Sequence, residues 1–265
     1  MIYIRGICVL RRTGAGVGVA GPLSFFTGLL LIYGAMQTYF DFLSQHMFWV
    51  HRLQHLVLHH IAPFLLALAT PSRVLTSGVP PAWRARGVRL LSPLRRLKRL
   101  VVWIQGPVFA PLLFVGLIYG WLIPHVHFMA MLDANLYRIM NWSMLIDGIF
   151  FWWLMLTPRH LQGIAPMGYP VRILLLVIVT LLQIFLGAHI FLHRTLLFDV
   201  YGICGRAWAI SPLVDQQIGG LLTWVPPAMM CGVALLLVLR LLLHDQEPHA
   251  SAAPHGLLAE TTGNS

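Results

Sequence analysis

His51, His55 and His59 recur at four-residue intervals in W-V-H-R-L-Q-H-L-V-L-H-H-I-A-P-F-L-L-A-L-A-T. On a helix, an i, i+4, i+8 row lies along one face. Imidazole is the commonest protein ligand for copper, zinc, iron and nickel. Ionisable groups inside so apolar a segment are costly and mark function by default. Further along the chain stand His125 and His127, Asn141 and Asp147, His189 and His193, and Asp215-Gln216-Gln217. Met47, Met129 and Met131 lie near them, and Met140, Met144 and Asp147 share a helical face by their i, i+4, i+7 spacing. Thioether beside imidazole favours copper over zinc. The candidate metal ligands are therefore His51, His55, His59, His125, His127, Asp147, His189 and Asp215. Asp147 and His59 are also expected at similar depth and form a structural pair on the plainer reading. His60 faces about 100° away from His59 on a regular helix and is left out.

These residues need elements to hold them, and the composition says which. The 265 residues are 58% hydrophobic and 10% charged, with mean hydropathy +0.77, far from a soluble globular chain. Apolar runs long enough to cross a hydrocarbon core of roughly 30 Å fall at about residues 19–40, 49–70, 101–122, 139–157, 171–191 and 218–243. The fold class is an all-α polytopic transmembrane bundle of about six spans, between a basic N-terminus (1–18) and a disordered tail (244–265). A barrel is excluded, because its strands alternate in polarity over roughly ten residues. The first run is too long for a signal peptide and lacks a clear small-x-small cleavage site.

The net charge of +10 reads as topology, with no call for nucleic acid. Arg5, Arg11 and Arg12, the loop from Arg73 to Arg99, Arg159, Arg172 and Arg240 fall on one side, against Arg138, Arg194 and Arg206 on the other. Both termini are then cytoplasmic. The stretch from Arg84 to Arg99 is expected to form a short amphipathic helix on anionic lipid. With this orientation His51 lies near the outer interface, with His55 about 6 Å and His59 about 12 Å deeper. His125, His127, Asn141, His189 and Asp215 gather at the same outer face. Cys8, Cys204 and Cys231 are placed too far apart for a disulfide or a CxxC metal site. No H-E-x-x-H pattern and no phosphate-binding glycine loop occurs, so hydrolysis and nucleotide chemistry have no support and the chain is not read as an enzyme.

Several pieces resemble one family in order and spacing. They are His51-x-x-Gln54-His55 before Ala62-Pro63, Phe151-Trp152-Trp153, and Ser211-Pro212-Leu213-x-Asp215-Gln216-Gln217-Ile218-Gly219-Gly220-Leu221 with Trp224-Val225-Pro226. Together they resemble the multi-span CtaG-type cytochrome c oxidase assembly proteins over about residues 20–243. The resemblance implies a bacterial inner-membrane protein needed for active haem-copper oxidase, thought to help supply its copper. Its partners would be membrane lipid and oxidase subunits or their assembly factors. By position His51 and His55 match the family's helix-2 histidines, His125 or His127 the histidine after helix 3, and Asp215 the acidic residue opening the last helix. Arg52 stands where methionine is usual, Asn141 where a histidine would align, and six spans appear where seven are commonly described. Three other readings stay open: a b-type cytochrome with haem between two histidines such as His55 and His189, a copper permease, and a metal-free scaffold for an oxidase subunit.

Overall fold

Prolines and short polar caps set where the helices begin. Pro124 and Pro170 each stand in a first helical turn, where a missing N–H leaves no bond unmade. Thr38 accepts from the Phe40 N–H at 3.3 Å, and Asp133 accepts from the N–H groups of Asn135 and Leu136 at 2.8 and 2.7 Å. The computed structural model describes residues 1–14, 16, 18–69, 71–80, 82–83, 106–158, 167–203 and 205–250. Among these there is helix but no strand. The helices are α1 (Ile2–Arg12), α2 (Ala20–Gln37), α3 (Tyr39–Ser44), α4 (Phe48–His55), α5 (Ala62–Leu68), α6 (Pro71–Gly78), α7 (Phe109–Trp121), α8 (Pro124–Leu132), α9 (Ala134–Leu156), α10 (Tyr169–Leu192), α11 (Val200–Ile203) and α12 (Pro212–Ala250). A π-helical turn, Leu56–Ile61, joins α4 to α5 without a break.

Four helices, α2, α9, α10 and α12, are long and apolar enough to cross a membrane. The bent pair α7–α8, at 76°, would make a fifth if it is one span. The predicted span 49–70 is helical from Phe48 to Leu68, in stretches of 8, 6 and 7 residues with the π turn in the middle. Leu30, Phe185, Leu192, Met229 and Leu236 are exposed on α2, α10 and α12, as expected of lipid-facing surfaces. The helices are those of a membrane protein. α9 is the most enclosed of these four helices. It packs against α5, α7 and the π turn, while α12 lies along α10 and α4.

Small residues let these helices approach. A Cβ at Gly187 of α10 would run into Trp224 of α12, and one at Gly220 would lie 2.7 Å from the Phe191 nitrogen. The core beneath contains Phe114, Phe151, Trp152, Met155 and Leu176. Near the start of α4 a second core holds Phe48, Phe198 and Tyr201.

The polar segments add helix at both ends of the chain. In the basic N-terminus, α1 pairs with α6 and buries Tyr3 and Leu10 against Val74. Last, α12 runs to Ala250, past the expected boundary at 243, so the first part of the tail is helical. Residues 251–265 and the amphipathic helix expected over Arg84–Arg99 lie outside the described residues.

Candidate metal centre

Asp215 builds the end of the bundle that carries the site. Its carboxylate accepts from the backbone N–H groups of Phe48 (3.1 Å) and Trp49 (2.8 Å), and pairs with Arg206. A residue of α12 therefore caps α4, supplying an anion to orphan donors at a helix N-terminus. Fully buried and committed to these partners, Asp215 is held apart from the imidazoles as the support of α4.

From that fixed start the four-residue spacing of α4 turns His51 and His55 inward, and both are buried. α8 brings His127 to them: the His51 ring centroid lies 4.4 Å from that of His55 and 5.2 Å from that of His127. The hydrogen bonds fix two tautomers. His127 donates from Nδ1 to the Trp121 carbonyl at 3.2 Å, so its Nε2 accepts from the Tyr201 hydroxyl at 2.9 Å. His55 accepts at Nδ1 from the Arg52 guanidinium at 3.2 Å and donates from Nε2 to Asn141 Oδ1 at 3.1 Å. His51 has no hydrogen bond at either ring nitrogen, although the backbone of Ser44 approaches it. No other buried side chain among the described residues leaves two such atoms.

An imidazole that donates one N–H to an oxygen and presents its other nitrogen inward has the form of a metal ligand. His127 has this form through Trp121 and His55 through Asn141, and His51 contributes a lone pair of its own. The cluster thus fits a soft or borderline cation in donor chemistry. Its present geometry is that of neutral rings held by protein partners: among the described residues, no three His, Cys, Asp or Glu side chains already stand where one ion can be held. A cation would displace Tyr201 from His127 and Arg52 from His55. Arg52 is buried and also donates to Thr223 Oγ1 at 3.0 Å.

His59 and Asp147 meet at 3.3 Å in the deeper interior, the pairing that their similar depths predict. His59 also stacks on Phe114, with centroids 3.9 Å apart. His60 is buried as well, and the Gln183 amide approaches its Nε2 at 3.3 Å. Helical periodicity turns it away from His59, but the π turn widens the helix here and brings both rings inside. The usable signal is Pro63, four residues after His59. Proline has no N–H for the His59 carbonyl and its ring crowds that carbonyl, which opens the helix. Trp152 Nε1 supplies the missing donor at 3.2 Å.

His125 and His189 are exposed. The ring nearest His189 is His193 on the same side of the chain, 5.4 Å away, so His189 is not brought to His55. The rings that the structure brings together are thus His51, His55 and His127, with Arg52 and Asn141 bonded to His55 and with Tyr201, which spacing did not select, bonded to His127.

The model of the cytochrome c oxidase caa3 assembly factor family (Caa3_CtaG) matches residues 1–245. The chain belongs to this family. No curated protein and no solved structure matches the chain. The resemblance read from the helix-2 histidines and the Asp215 segment is borne out at the family level, and with it a role in assembling cytochrome c oxidase. Within this Caa3_CtaG chain, His51 and His55 of α4 share one cluster with His127 of α8, and Asp215 holds the N-terminus of the helix that carries the first two.

Proposed function

We propose that this assembly factor takes up copper as cargo at the outer end of the bundle and passes it to an oxidase subunit in the bacterial inner membrane. His51 is the first ligand, joined by His55 and His127. The observation that carries this reading is the pair of partnerless ring nitrogens on His51, beside two imidazoles whose remaining N–H groups are already held by oxygens. A buried polar atom without a partner costs about 1–3 kcal/mol, and an arriving cation would offset that cost at the centre of the cluster. The Arg52 guanidinium next to His55 opposes a resident cation and suits one that is held briefly. Its charge also lines the same small cavity as His59 and His60, which opposes a cation moving deeper and argues against a permease.

A metal-free scaffold is the second reading, favoured by the hydrogen bonds that already occupy His55 and His127. A haem reading has no such support, because His55 is buried and His189 is exposed. Metal analysis on detergent-purified protein, wild type beside His51→Ala/His55→Ala, separates the two. Copper bound by wild type and lost in the double variant is the expected result. Metal-free wild type that restores oxidase activity in a deletion strain favours the scaffold.

A further inference from the structure

His51 is fully buried, so whatever reaches it needs a way in. A groove of about 610 Å³ runs between α2–α3 and α8–α9. Asp41, Gln45 and Arg138 give it polar walls, unlike the apolar outer faces of α2, α10 and α12. Met36 and Met131 line it from opposite sides, on α2 and α8.

Two of the groove's residues are also neighbours of the cluster. Asn141 accepts from His55, and the Tyr137 ring lies 5.9 Å from the His51 ring. Tyr137 thus has the groove on one side and His51 on the other. Its hydroxyl approaches Asp41 Oδ1 at 2.8 Å, Gln54 Oε1 at 3.1 Å and Ser44 Oγ at 2.8 Å. Ser44 spends its own proton on the Asp41 carbonyl, at 2.7 Å. One phenolic proton therefore faces three acceptors, and it can satisfy one well at a time. Such a latch holds the ring in place while leaving alternative bonds to exchange into.

We propose that this groove is the port through which a soft cation reaches His51, with Met36 and Met131 as its thioether contacts and Tyr137 as its gate. Thioethers select Cu(I) and its analogue Ag(I) over hard cations. The port rests on the copper reading for its cargo. Its position in the protein does not.

The test uses His51→Cys as a reporter in full-length protein carrying Cys8→Ser, Cys204→Ser and Cys231→Ala. The rate at which a small cationic methanethiosulfonate modifies the introduced thiol is the readout. Ala134→Trp fills the groove from an exposed wall position, and Leu192→Trp on the exposed face of α10 is the control. Ala134→Trp should slow modification at least several-fold relative to the control. Tyr137→Phe, which loses the phenolic hydrogen bonds, should speed it about fivefold. Equal rates in Ala134→Trp and Leu192→Trp would overturn the port. If His51→Cys does not fold, carbethoxylation of His51 itself, read by mass spectrometry in the same two tryptophan variants, gives the same decision. In the histidine-containing protein, Ala134→Trp should slow copper loading and leave the final amount unchanged. Protein that never binds copper overturns the cargo, while the labelling rates still decide whether the groove leads to His51.

Discussion

A neutral imidazole buried with both nitrogens unpaired is rare enough to ask what it is for. At His51 the neighbours sharpen the question, because His55 and His127 solve the same problem with hydrogen bonds. Arg52 decides how tightly a cation is held. Replacing it with methionine removes a guanidinium from His55 Nδ1, adds a thioether, and leaves Thr223 its bond to Gly219 at 2.7 Å. Arg52→Met should therefore bind copper more tightly, about tenfold or more for a change of 1.4 kcal/mol, as measured by competition with a Cu(I) chelator. Unchanged affinity would remove Arg52 from the account. Asp215→Ala should act on stability instead. It orphans two backbone donors and Arg206, so unfolding should become easier by about 1–3 kcal/mol, read by thermal denaturation in detergent. His125→Ala and His189→Ala, at exposed positions, should stay within about 0.5 kcal/mol of wild type and keep its copper content. The residue types were legible from spacing for His51, His55 and the His59–Asp147 pair. Spacing could not choose between His125 and His127, because a helix bend decides which of them faces inward.

The π turn is the element that most changes what the sequence means. A period of 3.6 residues puts His59 and His60 on different faces, and the turn at Leu56–Ile61 puts both inside. π turns are often found at functional sites. Here the turn follows from Pro63, and the partners that permit it are on α9. Trp152 satisfies the His59 carbonyl, and Gly148 leaves room for it: a Cβ there would meet that carbonyl oxygen at 2.5 Å and Pro63 Cγ at 3.0 Å. Gly148→Ala should destabilise by about 1–3 kcal/mol through overpacking, despite alanine's better helix propensity. Thermal unfolding measures it, and a neutral or stabilising result would show that α9 and the π turn can separate freely. The α1–α6 pair shows a different limit of sequence reading. Each is too short and too mixed to stand out as a span, and their packing on each other, with Gly6 and Gly78 at the contact, and on Phe25 of α2 buries an apolar face.

Across the whole molecule the arrangement is asymmetric. The histidine cluster, the capping carboxylate and the groove occupy the end where α4 and α12 start, while Arg172 ties the opposite ends of α9 and α10 together. Its guanidinium donates to the carbonyls of Met155 (3.0 Å) and Thr157 (2.8 Å), so a charge counted for topology also closes the core. Hydropathy made the membrane class and most helices legible, since apolar length alone defines them. It does not report a bent pair or a π turn, and these decide which side chains converge. If the basic bias sets orientation, the cluster faces outward and Cys8, which is exposed, faces the cytoplasm. In Cys204→Ser protein a membrane-impermeant maleimide should then label Cys8 only in inverted vesicles, and labelling of Cys8 in intact spheroplasts would reverse the orientation and the direction of delivery. Copper content reads the role of the cluster without an intermediate step. Copper uptake at the histidine cluster requires that purified wild-type protein, loaded with Cu(I) and desalted, retains copper near one ion per chain, and that His51→Ala/His55→Ala of equal monodispersity retains none. Equal copper in both proteins, or none in either, would contradict it.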